Sequence, residues 1–325
     1  MDELRTGLEA HLRELWSAPE LRVARVESIP EGHSGFTYYV DIEDGKRAGA
    51  YVMRMPPPGA KIRGTADVLR QGRIMQALNE AGLPAPAVPV LQDEPVLDER
   101  PFILMERTAG ERIETTAQHE DPDAIARSAI ATLRRLQELP LERTGLAGEE
   151  PVGLDFEMMR WAWLMERAPE ELTGAAGELG GLLAERKPAE GAPTLVHGDY
   201  HYGNMLFRGP DVVAVLDWEI AQLGQPLIDL GCLCLVSQRR SFEGAPNPGG
   251  GVDVSIERLI ELYGADPDEF RWYLALSCYK YASIFGYNLM LHRRGKRPDP
   301  MYEGMTGTIT GLIDRGRELL EGVKL

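Results

Sequence analysis

Between Leu195 and Phe207 the chain reads LVHGDYHYGNMLF, which sets His197, Asp199, His201 and Asn204 within eight residues, between two apolar, strand-like pieces. Three chemistries suit so dense a polar cluster: a metal cage, a hydrolytic site and a loop for phosphoryl transfer. The last gives the spacing a reason. A carboxylate at Asp199 accepts the proton of an attacking hydroxyl. The amide oxygen of an Asn five residues on holds Mg²⁺ near the phosphates, and one tight loop delivers both to the same side. A second metal carboxylate is then required. The run VAVLDWE supplies it as Asp217, at the end of an apolar piece and followed by Trp218 and Glu219. Oxygen donors of this kind suit Mg²⁺, which keeps several waters and uses the phosphates themselves as ligands.

The competing chemistries have less behind them. A metallophosphoesterase needs several further His and Asp ligands, yet the chain has six histidines in all, and none outside 197 and 201 sits in a comparable strand-end motif. Cys232, Cys234 and Cys278 fit neither a zinc module nor a disulfide framework. Cys232 and Cys234 lie in the apolar run LGCLCLV and read as buried thiols, which suits a reducing cytoplasm. The N-terminal MDELRTGLEAHLRELW is charged throughout and lacks the apolar core of a signal peptide, and no run approaches 18 apolar residues, so no membrane span is expected.

Bulk composition sets outer limits. The 325 residues are 43% hydrophobic and 26% charged, in the ordinary range for a globular protein, and suffice for one large domain or two lobes. A formal net charge of -16 makes a general nucleic-acid binder a poor fit, because the phosphate backbone would be repelled. Such a chain favours cationic small molecules, or anions held in a local basic pocket.

The elements that must carry these residues fall into two groups. Leu4, Leu8, Leu12 and Leu15 give residues 3 to 16 one helical face. Three strands fit 22 to 55, a helix fits 66 to 81 with Gly82 as its cap, and two further strands fit 87 to 91 and 101 to 106. After Thr108 the pattern is mainly helical: roughly 123–138, 155–168, 175–186, 227–238, 255–263, 268–293 and 302–321. Short strands fit 194–196, 204–207 and 212–216. The expected fold class is α+β, with residues 1–107 a small lobe built on an antiparallel sheet and 108–325 a larger, mainly helical lobe.

With the motifs in hand, the chain resembles the aminoglycoside phosphotransferase family of the protein-kinase-like superfamily. VHGDYHYGNMLF, VVAVLDWE and GQPLIDLG match the catalytic loop, the metal-binding Asp and a downstream Asp that braces the loop. The resemblance implies a bilobal kinase-like fold, ATP (or GTP) and Mg²⁺ as cofactors, and transfer of the γ-phosphoryl group to a hydroxyl of a small molecule. It assigns Asp199 as catalytic base, Asn204 and Asp217 as metal ligands, and His197 and Asp229 as structural support. EGHSGFTYYV resembles a phosphate-covering hairpin, with Ser34 and Gly35 presenting N–H groups. YVMRMPPPG puts Arg54 where the family carries a phosphate-contacting cation. The following helix there supplies a Glu to pair with that cation; LRQGRIMQAL has Gln71 instead, so Arg54 is held by phosphate or another acid serves. FILMERTAG resembles the hinge, so Glu106 and Thr108 offer backbone groups to the base.

RMPPPG, ILMER and LALSCYKYASIFGYNLMLHRRG further resemble kinase-like domains related to acyl-CoA dehydrogenase-associated proteins, some of which act on hydroxyacyl-CoA. The acceptor therefore stays open between an aminoglycoside-like cation and an anionic acyl or other metabolite. His201, Lys280 and Arg293 are the candidates to meet it, and Lys280 otherwise packs its stem and sends its amine to solvent. The alternative in another class is a nucleotide-binding pseudokinase, which Gln71 makes conceivable and the intact Asp199, Asn204 and Asp217 oppose. Oligomeric state leaves no mark on the sequence.

Overall fold

Leucines four apart make Asp2–Leu15 a helix, α1, whose Leu8 and Leu12 are fully buried. In the computed structural model, which describes residues 1–29, 36–43, 46–113, 120–237 and 251–325, α1 belongs to a unit formed by Met1–Gly110, Glu142–Gly148 and Val213–Ile220. Its sheet contains β1 (Arg22–Ser28), β2 (Phe36–Glu43), β3 (Gly49–Met55), β4 (Val90–Leu97) and β5 (Arg100–Glu106), all antiparallel in the order β1-β2-β3-β5-β4. Side chains alternate across it. Tyr51, Met53 and Met55 of β3 join the core with Leu8 and Leu12, so Arg54 lies on the other face, in register with Thr37 and Ile103.

Between β3 and β4 runs α2 (Val68–Glu80), capped by Asp67, which accepts from the Arg70 N–H at 2.9 Å. It ends at Gly82 (φ +68), where Leu83 N–H donates back to the Leu78 carbonyl. The β4–β5 hairpin departs from the expected bounds. β4 begins at Val90 and runs on through Pro95 to a turn at Asp98 and Glu99, both left-handed (φ 50 and 53). Proline is tolerated there because β4 is an edge strand with no neighbour on one side.

The second unit comprises Glu111–Leu141, Glu149–Val212 and Ala221–Leu325. It holds α3 (Pro122–Gln137), α4 (Leu154–Met165), α5 (Ala176–Glu185), β6 (Thr194–Val196) and β7 (Met205–Arg208), and a turn at Gly209 leads into β8 (Asp211–Val215). Then come β9 (Gln222–Gly224), α6 (Leu227–Ser237), α7 (Ile256–Tyr263), α8 (Pro267–Arg293) and α9 (Thr306–Leu320). β9 pairs antiparallel with β6 and was not expected, its three residues being too few to show alternation.

The long helix α8 is fixed at its start by Asp266, whose carboxylate accepts from the N–H groups of Asp268 and Glu269. It is buried almost all round from Trp272 to Ser283, as a helix packed on by α4, α6 and α9 must be. The contact with α6 is close because residue 231 is glycine. A Cβ there would lie 2.5 Å from Ser277 Oγ and 2.7 Å from the Tyr273 carbonyl oxygen. No helix among the described residues is long and apolar enough to cross a membrane, and the three thiols are buried and unbridged.

Candidate active site

The 197–204 loop begins where β6 ends, and α6 anchors it from behind. Asp229, in the first turn of α6 and 1% exposed, accepts from His197 N–H (2.7 Å) and Gly198 N–H (2.8 Å). Both donors would otherwise be buried and unpaired, a cost of about 1–3 kcal/mol each. Gly198 turns the chain at φ +83, a conformation glycine adopts without strain. Burial pushes the Asp229 carboxyl up to about 7 against the pull of those two donors.

The turn hands the chain to Asp199, whose side chain keeps 29% of its exposure. His197 Nδ1 accepts the Asp199 N–H at 3.1 Å and so sets its backbone. Tyr281 of α8 donates its hydroxyl to Asp199 Oδ1. On the other oxygen, Asn204 Nδ2 donates to Oδ2 at 3.1 Å and to the Asp199 carbonyl at 2.9 Å, with His201 Nε2 3.4 Å from Oδ2. His201 Nδ1 accepts from Gly203 N–H and caps the short helical turn Tyr202–Asn204. Behind Asp199 lies Lys280, 2% exposed. Its ammonium donates to the Gly198 carbonyl, sits 3.4 Å from Cys232 Sγ and 3.9 Å from Asp199 Oδ1, and lies over the ring of Trp161.

These neighbours set the charge states. Burial alone would raise the Asp199 carboxyl, but His201, Lys280 and Tyr281 outweigh it and hold the group well below the usual carboxylate range. Burial likewise works against the Lys280 ammonium, yet Cys232, Asp199 and Glu157 raise its pKa above the ordinary value.

A second cluster forms in the other unit. Arg54, its side chain 14% exposed, directs Nη1 and Nη2 to Asp217 Oδ1 at 3.2 and 3.3 Å and Nη2 also to Glu219 Oε2 at 3.3 Å. Asp217 is held in the left-handed region at φ 64, a strained choice for a residue with a Cβ. The turn is secured by Trp218, which is buried and donates Nε1–H to the Val215 carbonyl, and by Val215 N–H on the Pro84 carbonyl.

Asn204 and Asp217 each carry an oxygen of the kind that Mg²⁺ takes. Asn204 turns its NH₂ toward Asp199. Asp217 already takes a cation, the Arg54 guanidinium. Among the described residues no group of three or more His, Cys, Asp or Glu side chains forms a metal cage.

The remaining sequence candidates fall into place unevenly. Ser34 and Gly35 lie outside the described residues. Gln71 is 1% exposed and donates Nε2–H to the Thr65 carbonyl. Arg54 is paired with Asp217 and Glu219. Glu106 and Arg107 use their N–H groups on the Ala87 and Ala50 carbonyls, and Thr108 follows half-buried. Lys280 turns inward behind the loop and does not reach solvent. Arg293 is gripped by Glu171 and Glu303 (2.6 and 2.8 Å), so its charge is already answered. Tyr281 and Glu219 emerge only from the structure; Glu219 stands two residues past Asp217 in the motif, whereas nothing in an all-round apolar helix singles out Tyr281.

A match over residues 25–273 shows that the chain belongs to the APH phosphotransferase enzyme family. It is 28% identical to mouse acyl-CoA dehydrogenase family member 10 over 304 residues, which is 86% of this chain and 27% of that protein. Against rat acyl-CoA dehydrogenase family member 11 the share is 38%, so the chain spans between a quarter and two fifths of these relatives. The homoserine kinase of Pseudomonas aeruginosa (strain LESB58) is 30% identical over 237 residues, 69% of each chain. Among solved structures, a Ralstonia eutropha JMP134 protein bearing the name aminoglycoside phosphotransferase superposes with a TM-score of 0.77 at 23% identity, covering 98% of this chain and 99% of that one. Spectinomycin phosphotransferase APH(9)-Ia, in complex with ADP and spectinomycin, gives 0.64 at 13% identity over 97% and 98%. At such identities the structural likeness is one of fold, and the fold is the α+β, kinase-like one expected.

Proposed function

We propose that the protein transfers the γ-phosphoryl group of ATP to a hydroxyl of a small molecule. The observation that carries this reading is the setting of Asp199: a carboxylate at the end of a braced loop, partly exposed, charged, and fixed by Tyr281 and Asn204. Family membership and a kinase among the relatives support it. In this reading Asp199 orients the acceptor hydroxyl and receives its proton. Asn204 and Asp217 hold Mg²⁺, which neutralises charge on the phosphates, and Arg54 steadies them. Backbone groups of Glu106 and Thr108 meet the base. Such a transition state asks for positioning and charge neutralisation more than covalent help.

The test is ATP consumption by purified protein across amino sugars, hydroxy acids, hydroxyacyl-CoAs and small alcohols, with product phosphorylation followed by mass spectrometry. One class should give an acceptor-dependent phosphomonoester. Asp199→Asn should abolish it while nucleotide affinity stays within several-fold. Near-normal turnover in that variant would remove Asp199 from the mechanism.

A further inference from the structure

We propose that Glu219 is the positioning residue for Arg54, doing in this chain what the family resemblance gives to an acid on the helix after β3. The inference rests on the kinase reading above. α2 places no acid before its last residue, Glu80, and its Gln71 uses its amide on the Thr65 carbonyl. Glu219 instead arrives from the far side of the sequence, 165 residues from Arg54, and bonds Nη2 at 3.3 Å. Trp218, buried between the two acids in sequence, and the left-handed turn at Asp217 aim both carboxylates at one guanidinium.

The two acids are not equivalent. Both terminal nitrogens of Arg54 converge on a single oxygen of Asp217. A metal ion on that carboxylate brings a second positive charge to the same atom and loosens the contact. Glu219, exposed to 22%, stays on Nη2 and helps keep Arg54 in place with donors turned to phosphate. Removing it takes one anionic partner from a guanidinium only 14% exposed, at a cost in desolvation left unanswered.

Calorimetric titration with Mg²⁺·AMP-PNP tests this without knowledge of the acceptor. Glu219→Gln should weaken binding about tenfold in the otherwise native protein, and less than about twofold when Arg54 is already Met, because Glu219 acts through Arg54. Glu219→Asp, which keeps the charge, should recover most of the loss. Far-UV circular dichroism should show each variant folded. Equal losses in both backgrounds would mean that Glu219 ligates metal directly, and no loss from Glu219→Gln in the otherwise native protein would mean that it is idle; either overturns the proposal. Failure of the native protein to bind Mg²⁺·AMP-PNP would defeat the kinase reading itself, and this inference with it.

Discussion

The ammonium of Lys280 lies 3.9 Å from Oδ1 of Asp199 and donates to the carbonyl of the residue before it. A buried cation thus holds the loop from behind, at the residue where it turns and at the residue on which the proposed chemistry depends. Lys280→Met keeps the packing volume and removes the charge. We expect transfer to fall about tenfold to a hundredfold, since small misplacements of a reacting group cost that much. Mg²⁺·nucleotide affinity should hold. Equal turnover in the variant would show that the loop keeps its shape without the ammonium.

Asp229 satisfies two buried N–H groups at once. Asp229→Ala should destabilise the protein by about 2–6 kcal/mol, the penalty for leaving those donors unpaired. Urea denaturation reads this directly. A change under about 1 kcal/mol would mean that water or a rearranged loop replaces the carboxylate.

Gly231 permits the approach of α6 to α8 that brings Cys232 to Lys280. A valine there meets Ser277 Oγ and backbone of Tyr273, and overpacking of this kind costs about 1–3 kcal/mol or more. The cost should exceed that of a valine at Gly177, where a Cβ meets nothing within 4 Å. Equal effects on melting temperature would show that the helices separate at no expense.

Burial pushes the Cys232 thiol up to about 11 and Cys278 up to about 12, and raises Cys234 as well. At pH 8 the reactive thiolate at Cys232 is then about one part in a thousand. The native protein should resist an aromatic disulfide reagent for hours and release three equivalents once unfolded in guanidinium. Stoichiometric reaction of the folded protein would contradict the burial.

How far the sequence reached can be judged residue by residue. Asn204 stands five after Asp199 and does touch it, because a contact within one tight loop depends on local spacing alone. The bounds of α2 were legible from its apolar stripe and from Gly82. The end of β4 was not, since charged residues and Pro95 hide an edge strand that needs only one partner. Lys280 was seen but not aimed, because α8 is apolar on every side and periodicity gives no direction. Tyr281 on Asp199 and Glu219 on Arg54 bridge 82 and 165 residues, and single-chain spacing carries no signal for such pairs.

A carboxylate as strongly stabilised in its anionic form as Asp199 is a feeble Brønsted base. In the proposed transfer its hold on the acceptor's hydrogen should therefore tighten late, once phosphorus has largely parted from its leaving oxygen. Turnover in heavy water should then run at nearly the light-water rate.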